Sequence, residues 1–127
     1  MRILGIDYGK RKIGLAIAEG PLAEPWKVIK VSNFKEAVEK VGSAFAEASA
    51  DKVVVGVSEG EMGEESRKFA QSLGAETFDE TLTTHEAQRL SREAGVRQSK
   101  RRSLEDAFAA TIMLQNYLDQ NSQVHIV

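Results

Sequence analysis

Cysteine is absent from this chain of 127 residues, and histidine occurs only twice. The first absence excludes disulfides, zinc–thiolate centres and thiol nucleophiles together. The second leaves too few imidazoles for a histidine-rich metal site. Aromatic residues make up only 6% of the chain, so contacts to backbone phosphate are expected ahead of base stacking if nucleic acid is bound. No apolar run approaches the roughly 18 residues that would cross a bilayer. The first residues also lack the basic flank, apolar stretch and small-residue cleavage site of a secretion signal. A soluble cytoplasmic protein with no membrane partner is expected. Charge of one sign is not in excess either: 17 Lys and Arg face 19 Asp and Glu, for a formal charge of -2. Any polyanion must therefore be gripped by local clusters of cations.

What is present suits one compact domain over residues 1–127, since 42% of residues are hydrophobic and the length leaves no room for a second core. No internal repeat, low-complexity tract or interdomain linker interrupts it. Residues 2–7 and 12–18 read as strands, the second alternating Ile13, Leu15 and Ile17 with Gly14, Ala16 and Ala18, and the short Tyr8–Arg11 segment makes them a hairpin. Gly20-Pro21 and Pro25 punctuate a loop before a third strand over Trp26–Val31. Asn33 and Glu36 resemble a capping box for a helix through about Ala48, with Phe34, Ala37, Val38, Val41, Ala44 and Phe45 at helical spacing. Val53-Val54-Val55-Gly56-Val57 is a continuous apolar run, as expected of a parallel strand covered on both faces. Ser58–Glu65 reads as a glutamate-rich loop, Ser66–Leu73 as a helix and Ala75–Phe78 as a short last strand. A capped helix from Thr83 to about Ala94, a basic loop over 95–102 and a largely apolar helix from Ser103 complete the order. The predicted class is α/β, a mixed five-stranded sheet with three antiparallel strands first and parallel strands after, flanked by helices.

Sites in such sheets gather at the C-terminal ends of strands. Asp7 lies at one such end, Ser58-Glu59 at a second and Asp79-Glu80 at a third, with Asp106 on the first turn of the final helix. A rigidly held carboxylate beside a glycine turn offers the hard oxygen that Mg²⁺ or Mn²⁺ prefers. Each acid also has an ordinary alternative. Asp7 suits turn chemistry, Ser103-x-x-Asp106 a helix cap, and Glu59 a solvated loop. Two basic clusters, Lys10-Arg11-Lys12 and Arg97 with Lys100-Arg101-Arg102, flank Asp7 and Asp106 and suit a site that grips phosphates.

The string Gly5-Ile6-Asp7-Tyr8-Gly9, followed by Arg11, Ile13, Gly14, Leu15 and Ala16, resembles the YqgF or RuvX family of RNase H-like, Holliday-junction-resolvase-like proteins. Val53–Val57 is similar to its central strand, Phe78–Ala87 to its Asp-Glu-Arg-Leu-Ser/Thr-Thr segment and Asp106–Gln115 to its final helix. Together these segments span essentially the whole chain. The resemblance implies a single RNase H-like domain and a nuclease, acting either in maturation of the 5′ end of precursor 16S rRNA or on branched DNA. It implies Asp7, Glu80 and Asp106 as an acidic triad holding two Mg²⁺ or Mn²⁺ ions, with Lys10, Arg11, Lys12 and the 97–102 loop positioning the strand. Thr81 stands where the family has arginine, and Ser58-Glu59-Gly60 where it has Leu-Pro, which keeps Glu59 as the reserve ligand to Glu80. A resolvase would require two sites and hence a homodimer. An rRNA nuclease need not be dimeric, and association with the ribosome is the corresponding expectation. A non-catalytic nucleic-acid-binding module is the competing class. An actin-like ATPase is a third, but its second lobe does not fit in this length.

Overall fold

The computed structural model describes residues 1–57, 61–79 and 107–120. The chain opens with β1 (Ile3–Asp7), β2 (Lys12–Ala18) and β3 (Ala23–Lys30), followed by α1 (Phe34–Ala48), β4 (Lys52–Val57), α2 (Glu61–Leu73) and β5 (Glu76–Asp79). A further helix, α3, covers 107–120. The five strands form one sheet in the order β3-β2-β1-β4-β5. β1 pairs antiparallel with β2, and β2 with β3, while β1–β4 and β4–β5 are parallel. This is the mixed sheet expected from the alternation of apolar residues.

Two elements begin earlier than the sequence pattern predicts. β3 starts at Ala23 and runs through Pro25, which is tolerated because β3 is an edge strand and its pairing shifts register between Leu15 and Ala16. α2 starts at Glu61, so the predicted loop yields a first helical turn. Glutamates are good helix formers and suit the positive end of the helix dipole there. The capping of α1 is close to expectation: Asn33 Oδ1 accepts from the Glu36 amide at 2.8 Å, while Glu36 reaches back to the Ser32 amide at 3.1 Å. The helix expected over 83–94, the basic loop 95–102 and the start of the last helix at Ser103 lie outside the described residues.

Strand alternation divides the core into two layers. On one face Leu4, Ile6, Ile13, Leu15 and Val55 pack against Val41, Ala44, Phe69 and Ala70 of α1 and α2. On the other, Ile3, Ala16, Ala18 and Val54 pack against Ala110, Met113, Leu114 and Tyr117 of α3. That second contact is close because position 5 has no side chain: a Cβ there would stand 2.9 Å from the Cβ of Leu114. Gln115 pins the helix sideways, accepting from the Ala23 amide and donating to the Pro21 carbonyl, both at 2.8 Å. Tyr117 packs edge-on against Phe78 at 5.8 Å and joins the Lys52–Glu76 ion pair of 3.1 Å. Burial alone would raise the Glu76 carboxyl, but hydrogen bonds from Tyr117 and Lys52 bring it below its ordinary value. Hydrogen bonds to Tyr117 and Glu76 in turn hold the Lys52 ammonium above its own.

These contacts fix the direction of α3. Leu114 lies over Gly5, and Tyr117 reaches Lys52, which pairs with Ile3. The helix therefore runs antiparallel to β1, and residues 107–110 lie toward the Asp7 end. Gly5→Ala should destabilise the protein by about 1–3 kcal/mol through overpacking, read as a fall in thermal midpoint. Leu114→Ala in the same background should recover part of that loss, because the two side chains would occupy the same space.

Candidate active site

The parallel strands β1, β4 and β5 end on one rim, at Asp7, Val57 and Asp79. Asp7 shares its face with Ile3 and Gly5, the face covered by α3. Its lateral neighbours are Gly14 on β2 and Gly56 on β4. Neither has a side chain, so the half-buried carboxylate of Asp7 is flanked on both sides by bare backbone. The next residue along this row, Phe78 opposite Gly56, is held by Tyr117. A carboxylate at the end of the middle strand offers hard oxygen donors of the kind a divalent cation takes.

Asp79 closes β5 opposite Val57 and is exposed. Alternation places it with Thr77 on the α1/α2 face, away from the face of Asp7. Glu80 follows it in sequence and lies outside the described residues, as do Glu59, Asp106, Thr81, Arg97, Lys100, Arg101 and Arg102. Among the described residues no group of three or more His, Cys, Asp or Glu comes together. What the structure establishes is the setting of Asp7: the central strand end, the glycine flanks and the near end of α3, whose Ala107 follows Asp106 in sequence.

The turn after Asp7 is shaped by glycine and aromatic packing. Gly9 carries its backbone so close to the next strand that a Cβ would lie 2.5 Å from the Lys12 carbonyl oxygen. Tyr8 turns to the opposite face and stacks on Phe69 with ring centroids 4.5 Å apart. Burial, and then the Glu65 carboxylate, push its phenol above the ordinary value, so it stays protonated at neutral pH. Lys10 lies 3.6 Å from Glu65. Arg11 and Lys12 are exposed, and among the described residues neither has an ion-pair partner. The Arg11 carbonyl accepts from the Val31 amide at 2.9 Å, tying the turn to the end of β3.

That tie brings in a cation that sequence reading missed. Lys30 pairs directly across from Lys12 and lines the same groove as Lys10, Arg11 and Ser32. Alternation in β3 marks Lys30 as solvent-facing, but only the β2–β3 register shows which residue it faces.

Residues 1–120 match the model of the RuvX family, described as Holliday junction resolvase. The chain is 35% identical over 140 residues to a protein of Syntrophus aciditrophicus (strain SB), covering 99% of this chain and 93% of the relative. It is 36% identical over 138 residues to a protein of Leuconostoc citreum (strain KM20), covering 95% and 96%. Both carry the name "Putative pre-16S rRNA nuclease". Among solved structures it is similar to T. thermophilus RuvC in complex with a Holliday junction substrate, with TM-score 0.55, 18% identity and coverage of 94% and 96%. Fowlpox virus resolvase with Holliday junction DNA matches at TM-score 0.55 and 12% identity, covering 95% and 99%. At these identities the likeness is one of fold, and with the observed strand order it makes the fold RNase H-like.

Gly9→Ala should force the 8–11 turn to shift, because the obstacle is backbone rather than a flexible side chain. A loss on the order of 1–3 kcal/mol is expected, seen as a lower denaturant midpoint. An unchanged midpoint would mean that the turn is less tightly closed than described.

Proposed function

Because the chain belongs to the RuvX family, we propose that it is a metal-dependent endonuclease that hydrolyses phosphodiester bonds in structured nucleic acid, acting in 5′-end maturation of precursor 16S rRNA. The observation that carries this reading is the placement of Asp7 on the middle strand's end between two glycines, in a chain matched almost end to end by relatives of that name. Holliday junction cleavage is the second reading, favoured by the description of the matching family. The chain is proposed to act as one RNase H-like domain over residues 1–127.

The donor chemistry at the rim suits a hard divalent ion such as Mg²⁺ or Mn²⁺, since Asp7 presents carboxylate oxygen and the chain has no thiol. A pair of such ions, when bound, would supply Lewis-acid activation of water and charge neutralisation at the departing 3′ oxygen. Asp7 would hold them from the strand end, and Glu80 (or Glu59) and Asp106 would complete the oxygen set. Lys10, Arg11 and Lys12 would grip the strand through its phosphates, as would Arg97, Lys100, Arg101 and Arg102. Such contacts position the substrate without reading its sequence.

The test is cleavage of a precursor 16S fragment and of a four-way DNA junction, side by side, with Mg²⁺ or Mn²⁺. Wild type should cut one of them, the rRNA fragment on the leading reading. Asp7→Asn should lower the rate by more than about 100-fold, beyond the range for groups that merely orient a metal ligand, while binding is retained. Failure of wild type to cut either substrate with either metal would sink the nuclease reading in favour of a non-catalytic binding module.

A further inference from the structure

Cross-strand neighbours of like charge are destabilising when directly opposed, yet Lys12 and Lys30 face each other across the β2–β3 ladder. Both are exposed, and among the described residues neither ammonium has an acidic partner. Glu36 pairs with Lys40 at 3.3 Å and accepts from the Ser32 amide, and Glu65 pairs with Lys10. The pair opens onto a groove of about 530 Å³ lined also by Lys10, Arg11 and Ser32. Ladder alternation gives the pair its orientation. Lys12 is two residues from Gly14, which pairs with Asp7, so Lys12 and Lys30 project on the same face of the sheet as Asp7. Lys30 lies two strand spacings across and two residues along from Asp7, on the order of 12 Å between Cα atoms. An unbalanced cation pair on that face, beside a carboxylate-bearing rim, fits a second stretch of the same polyanion.

We propose that the groove between the 8–12 turn and the end of β3 is a phosphate track, in which Lys12 and Lys30 each hold a backbone phosphate of the substrate strand as it runs from Asp7 toward the β3 edge. The proposal rests on the nuclease reading for what lies at Asp7, but it makes its own claim about the direction of the strand. Lys30 is the residue it adds. The electrostatic logic explains why two cations stay opposed: bound phosphate offsets a repulsion that the free protein carries.

Anisotropy of a labelled single-stranded RNA and of a labelled four-way DNA junction, each titrated with the full chain in EDTA over a range of salt, separates binding from cleavage. Lys12→Gln and Lys30→Gln should each weaken binding several-fold at low salt. Each should also reduce the slope of log K against log salt by about 0.7–0.9, the worth of one phosphate contact, and the double variant by about twice that. Lys30→Gln should melt no lower than wild type, because it removes a repulsion. Lys35→Gln, an exposed α1 lysine outside the groove, should bind as wild type does. Binding and slope unchanged in Lys12→Gln and Lys30→Gln would overturn the track, as would equal losses in Lys35→Gln. Wild type that binds but cuts nothing with added metal would sink the nuclease reading and leave the track standing. Wild type that binds neither nucleic acid removes both.

Discussion

The helix over residues 107–120 packs closely on the sheet because position 5 carries no side chain. Leu114 fills the space a Cβ would need, and Ala16, Ala18 and Ala110 keep the neighbouring contacts shallow. Bulkier residues at these places would push the helix outward and carry its first turns away from the rim. The close approach also sets the helix axis, because Gln115 anchors it to the β2–β3 connection and Tyr117 to Lys52 and Glu76. The packing of α3 on β1 is thus what brings the residue after Asp106 toward the strand end that bears Asp7.

The sheet supplies the rest of the arrangement through direction and alternation. Three parallel strands end on one rim, so residues far apart in the chain share a neighbourhood without a dedicated loop. Alternation then sorts acids by face: Asp7 stands on the α3 side, Asp79 on the other. Glycines flank Asp7 laterally, and the hairpin that follows turns tightly at Gly9, presenting Lys10, Arg11 and Lys12 at once. The acid and the cations are adjacent because one short turn separates strand end from strand start. A fold built this way needs few residues to set a carboxylate at a strand end beside a basic groove.

Much of this was legible in the sequence. Alternation in β2, the apolar run of β4 and the capping pair Asn33–Glu36 located their elements, since each is a local pattern with a local cause. Asp7 stood out because a buried strand rarely ends in a carboxylate beside glycine and cations. Element starts were less legible. Pro25 reads as a break, but an edge strand with a register shift absorbs it, and Gly63 with its flanking glutamates reads as loop although glutamate is a good helix former and the helix begins at Glu61. Neighbours across the ladder were not legible at all. Gly14 and Gly56 as the flanks of Asp7, and Lys30 as the partner of Lys12, follow from register, which depends on the whole sheet.

The central claim is that Asp7 holds a hard divalent cation at the strand rim. Diffraction at the manganese edge from crystals grown with Mn²⁺ tests it without reference to any substrate. Anomalous density at roughly 2.0–2.2 Å from the Asp7 carboxylate, on the face covered by α3 and lost in Asp7→Asn, is the predicted result. Manganese bound only elsewhere on the molecule, or unaffected by Asp7→Asn, would contradict it.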